Sequence, residues 1–94
     1  MFVLHIELKA NSGSQWDLEQ AFVDRFYPAI SSQDGFVAAQ LLRSNDSDTG
    51  YRLCLSFDRQ ASQQTWVATD LHQEVWPLVA ELCEGFSVAG YTAI

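Results

Sequence analysis

The chain has 94 residues, 48% hydrophobic and 13% aromatic, with 5 basic and 12 acidic side chains and a net charge of −7. That length predicts one domain, residues 1–94, near the small end of what buries a self-sufficient core, so the apolar content implies association with a second copy. The basic residues are scattered, which leaves no electrostatic footprint for nucleic acid or an anionic membrane, and the acidic surface reads as a route to solubility.

Met1 leads directly into FVLHIEL with no basic flank and too short an apolar run for a signal peptide. No stretch approaches transmembrane length, and a cytoplasmic location is expected. Cys54 and Cys83 lack redox or metal-ligand spacing and read as two reduced, buried thiols.

Phe2 to Lys9 alternates. Phe2, Leu4, Ile6 and Leu8 share one face and Val3, His5, Glu7 and Lys9 the other, the pattern of a half-buried strand. Asn11 to Ser14 is a turn, and Ser14 with Asp17 resembles a capping box. A helix follows from about Gln15 to about Ser31, with Leu18, Phe22, Phe26 and Ile30 as its inner stripe and Val23 and Tyr27 alongside. Pro28 lacks a backbone donor and crowds the Asp24 carbonyl, so a kink or early stop is expected near Tyr27.

Phe36 to Arg43 is mostly apolar, and its polar flanks make it a strand. Ser44 to Gly50 is a hairpin tip, and Tyr51 to Asp58 alternates as a second clean strand. A short helix begins in Arg59 to Gln64, with Ser62 as a possible cap, and ends near Ala68. Thr69 and Asp70 start a longer one, which Pro77 should bend and Gly85 should end. Phe86 to Ala93 is the last strand.

The stretch from Thr65 to Cys83 carries two stripes at helical spacing: Leu71, Val75, Leu78 and Leu82, and beside them His72, Trp76, Val79 and Cys83. Two stripes need more cover than one sheet provides, so the excess should face a neighbouring subunit, a ligand cavity, or both. The element order β-α-β-β-α-β is the ferredoxin-like α+β arrangement, a four-stranded antiparallel sheet with helices on one face. Its central strands would be the first and third, which carry His5 and Glu7, and Arg52 and Ser56, on their second face.

The opening strand FVLHIEL, the segment FYPAISSQDGFVAAQLLRS and the run TWVATDLHQEVWPLV together resemble the antibiotic-biosynthesis-monooxygenase-like family of the dimeric α+β barrel superfamily. The resemblance covers almost the whole chain. It implies a homodimer whose two sheets close a barrel, with a pocket between helices and sheet in each subunit. It also implies, for the enzymes of the family, monooxygenation of polycyclic phenols to quinones with no metal or flavin cofactor. Trp66, His72 and Trp76 carry over from the family pattern. The haem-degrading branch uses an Asn on the first strand, where this chain has Ile6, Glu7 and Leu8, and that departure counts against haem degradation.

His72 is the candidate catalytic base, since a near-neutral imidazole can take a phenol's proton. A helix N-terminus beside it would favour its neutral form. Trp66, Trp76, Phe26, Phe22 and His5 are the candidate ligand-binding residues, Trp76 by stacking on a planar ring. Against this stand blander roles: His72 beside a dimer contact, the tryptophans as core or interface anchors, Trp16 as a dimer or surface contact, and His5 and Glu7 in an ion-pair network with Arg52 where two sheets meet. The spacing His5-x-Glu7 supplies only two ligands, so no metal site is expected. The functional alternatives are a non-catalytic small-ligand-binding module and a structural homodimer of the same fold.

Overall fold

A computed structural model describes residues 1–94. The strands are β1 (Phe2–Ala10), β2 (Phe36–Arg43), β3 (Gly50–Phe57) and β4 (Cys83–Thr92), and the helices α1 (Gln15–Ala21), α2 (Tyr27–Ser31), α3 (Gln60–Val67) and α4 (Asp70–Ala80). The sheet is antiparallel in the order β2-β3-β1-β4. This is the expected ferredoxin-like α+β fold, with β1 and β3 central. Alternation turns Ile6 and Leu8, and Tyr51, Leu53, Leu55 and Phe57, toward the helices, where all are buried with Leu18, Phe26, Ile30, Trp66, Val75 and Val79. Cross-strand partners share a face, so the register Glu7↔Arg52 and His5↔Ala89 puts these side chains on the other side of the sheet. There Glu7 and Arg52 form an ion pair that is exposed in the single chain.

Pro28 does not stop the first helical segment. Between α1 and α2 lies a π-helical turn, Phe22–Phe26, closed by the Tyr27 N–H bonding to the Phe22 carbonyl. This wider turn opens the hydrogen-bond ladder where the proline ring would crowd Asp24, and the helix continues to Ser31. It also keeps the core stripe in line. In a regular α-helix residues four apart drift by about 40°, and the π turn reverses part of that drift. Leu18, Phe26 and Ile30 stay buried, whereas Val23 and Tyr27 are exposed.

Other local expectations change in the fold. Ser14 makes no side-chain cap. Ser62 lies inside α3 and donates to Asp58 Oδ1 at 2.6 Å, so Arg59 takes the cap position. The helix α4 runs past Pro77 to Ala80. It ends there rather than at Gly85, because Asn11 binds the chain just beyond: its N–H donates to the Leu82 carbonyl at 2.8 Å and its Nδ2 to the Glu81 carbonyl at 3.3 Å. Leu82 and Cys83 therefore leave the helical stripes, and Val75 and Val79 are its buried residues. Cys54 and Cys83 are free and half-buried rather than buried.

One polar cluster ties α1 to β2 and β3. Arg43 binds Glu19 through two bonds of 2.9 and 2.6 Å, and the Tyr51 hydroxyl donates to Glu19 Oε2 at 2.7 Å. The Arg43 and Tyr51 hydrogen bonds hold the Glu19 carboxyl below its ordinary value of 4.5. A depressed carboxyl stabilises the fold above its unfolded pKa, and that contribution disappears as pH falls through the folded value. Wild type should therefore lose thermal stability below about pH 4.5 more steeply than Glu19→Gln, measured as melting temperature against pH. Parallel acid limbs would show that Glu19 contributes nothing.

Candidate functional site

A groove of about 200 Å³ opens between the helices and the sheet, lined by Leu4, Ile6, Leu55, Phe86 and Val88 from the strands and by Phe26, Gln63, Trp66, Val67, His72 and Trp76 from the helical layer. It persists because β4 is an edge strand that the helices do not fully cover. Phe86 and Val88 remain 52% and 53% exposed there.

The break between α3 and α4 places the key side chains. The Thr69 hydroxyl donates to the Trp66 carbonyl at 2.7 Å and accepts from the His72 N–H at 3.1 Å, which caps α4 and fixes the corner. Trp66 is 1% exposed and meets His72 edge-on, with ring centroids 5.1 Å apart. Trp76, one turn along α4, lies nearly parallel to the imidazole, at 6.4 Å and 16°. Phe26 meets both tryptophans edge-on, and Phe86 closes on Trp76 at 5.3 Å. His72 therefore sits in an aromatic frame at the groove wall. Burial pushes its pKa below the ordinary 6.5, so at neutral pH the ring is uncharged. Loss of water around the ring accounts for this shift, where the sequence pointed to the helix N-terminus.

Residues 1–76 match the family model of the antibiotic biosynthesis monooxygenases. The chain belongs to that family. Similar solved structures share its fold at low identity. A variant of a cofactor-independent oxygenase from Streptomyces nogalater is 20% identical with a TM-score of 0.89, over 98% of this chain and 91% of that one. An antibiotic-biosynthesis-monooxygenase-like protein from Caulobacter crescentus is 16% identical with a TM-score of 0.87, over 99% and 89%. Another from Bordetella bronchiseptica is 18% identical with a TM-score of 0.87, over 99% and 97%. No curated protein matches the chain significantly by sequence.

Of the residues singled out in the sequence, the fold brings His72, Trp66, Trp76 and Phe26 together in the groove. Phe22 stands one ring behind, stacked on Phe26 at 6.1 Å and facing a separate hollow with Glu19, Leu41 and Tyr51. His5 lies on the opposite face of the sheet, tilted against Tyr91 at 5.0 Å, and does not reach the groove. Trp16 is 70% exposed and also remote from the groove. Not singled out in the sequence as ligand-binding were Gln63, Val67, Phe86 and Val88, nor the core-face strand residues Leu4, Ile6 and Leu55. Gln63 precedes Trp66 by three positions on one helix, and Phe86 and Val88 alternate on β4, so both periodicities held the signal. Side chains form no cluster of three or more candidate metal ligands, and no helix is long and apolar enough to cross a membrane.

Proposed function

We propose that the protein is a cofactor-independent monooxygenase acting on a compact aromatic phenol bound in the groove, with His72 at the substrate's oxygen. The observation that supports this most is the neutral imidazole set against Trp66 and Trp76 on the wall of a largely apolar groove. The remaining lining is apolar apart from Gln63, which suits a planar ring with one polar end. At about 200 Å³ the space is smaller than the ~300 Å³ at which drug-sized sites begin. A one- or two-ring phenol fits that volume better than a polycyclic one.

The reaction balances without an outside reductant. A phenol and dioxygen give a quinone and one water, and the substrate supplies all the electrons. The step needs an electron-rich ring, which the phenolate provides. Aromatic walls orient the ring and exclude water from it.

The working unit is a homodimer. The face of the sheet turned away from the helices carries half-exposed Leu42 and Tyr91 beside the Glu7–Arg52 pair, and a second copy laid against it would cover them.

An oxygen electrode with a panel of one- and two-ring phenols tests the proposal. Uptake with quinone formation is expected, and His72→Ala should lower it at least 100-fold while sedimentation still shows a dimer. Unchanged turnover in His72→Ala would remove His72 from the chemistry. Saturable binding without oxygen uptake would reassign the site to a binding module.

A further inference from the structure

Gln73 follows His72 on α4 and engages two partners through one amide nitrogen. Its Nε2 donates to the Val67 carbonyl at the end of α3, at 3.0 Å, and lies 3.2 Å from His72 Nδ1. The first bond fixes the amide's orientation, because turning it over would set its oxygen against the Val67 carbonyl. An amide NH2 only donates, so His72 Nδ1 accepts. A neutral imidazole carries one proton, which therefore sits on Nε2. That nitrogen bonds to no other side chain, and no buried polar side-chain atom lacks a partner, so Nε2 is not sealed from solvent, on a ring that lines the groove. No other titratable side chain lines the groove.

We infer that Gln73 is a positioning residue that holds His72 as a hydrogen-bond donor through Nε2–H, so that the groove selects aromatic ligands presenting an acceptor oxygen, a ketone or a phenolate. The ligand class rests on the groove being the binding site, as proposed above. It changes the part assigned to His72: with Nε2 already protonated and Nδ1 occupied, the ring has no free lone pair to take a substrate proton. A phenol's proton goes instead to water at the groove mouth, and Nε2–H stabilises the anion left behind. Gln73 never touches the ligand and acts through the imidazole alone.

Long-range ¹H–¹⁵N spectra of the imidazole, recorded on the ligand-free protein above the His72 titration, read the tautomer directly. Wild type should show Nε2 protonated and Nδ1 bare. Gln73→Ala should give a mixture, and Gln73→Glu, whose carboxylate accepts, should move the proton to Nδ1. A wild-type Nδ1–H pattern, or one that neither substitution alters, overturns the positioning role. Ligand selection is read from the indole N–H shifts of Trp66 and Trp76 on titration with 1-tetralone and with tetralin, which differ by one carbonyl oxygen. The ketone should bind about tenfold more tightly, and His72→Phe should erase that preference. Equal affinities, a preference that survives His72→Phe, or no binding by either compound overturns the donor role. Neither readout involves oxygen uptake, so failure of the oxygenase proposal is seen separately.

Discussion

Trp66→Ala is expected to destabilise the protein by about 3–5 kcal/mol, a large share of the ~5–10 kcal/mol total stability usual for a small domain. Trp66 is 1% exposed and heads the fully buried side chains by volume. It touches Phe26 and His72 edge-on and lines the groove. Removing it deletes buried ring surface and leaves a cavity that cannot collapse, because α3 is strapped to α4 through Thr69. Urea unfolding followed by circular dichroism gives the loss directly. Trp66→Phe keeps part of the volume and should cost less than half as much. A loss under 1 kcal/mol in the alanine variant would mean that Trp66 is not a core anchor.

Gly35→Ala should cost about 2–4 kcal/mol without touching the groove. Two independent penalties meet at this position. Gly35 has φ +79°, a left-handed conformation that a side chain resists. Its missing Cβ would also lie 2.7 Å from Ser62 Cβ and against the hydrogen-bonded pair Asp58 Oδ1 and Ser62 Oγ. That pair cannot simply retreat, since the Asp58 N–H is bonded to the Gly35 carbonyl at 2.8 Å. Thermal melts of Gly35→Ala beside Gly13→Ala separate the two penalties. Gly13 also has positive φ, at 87°, but open space around it, so it should lose only the conformational part. Equal losses at the two sites would show that the close approach is unimportant.

Both glycines stand in polar turns that the sequence marks, yet only the packing of the α2–β2 turn onto the start of α3 makes one of them the costlier to replace. The same division runs through the first helical segment. Leu18, Phe26 and Ile30 were legible as an inner stripe from their spacing. Whether Pro28 would end the helix was not, because a π turn and a kink answer the same lost hydrogen bond and local sequence does not choose between them. The end of α4 was misread at Gly85 because its true stop depends on Asn11, 70 residues away in sequence from the carbonyl its side chain binds.

For the site, the sequence by itself determined the local pieces. The start at Thr69-Asp70 put His72 in the first turn of α4 and Trp76 one turn on, since helical spacing decides which side chains neighbour one another. Period-two alternation separated His5 from Leu4 and Ile6. Which face of the sheet the helices cover is set by the long-range pairing of β1 with β3 and β4. Only the tertiary structure could therefore send His5 to the far side and bring Phe86 and Val88 beside His72. The proton on Nε2 belongs to that level too: it depends on the Val67 carbonyl orienting Gln73 across the α3–α4 corner, a geometry no residue spacing contains.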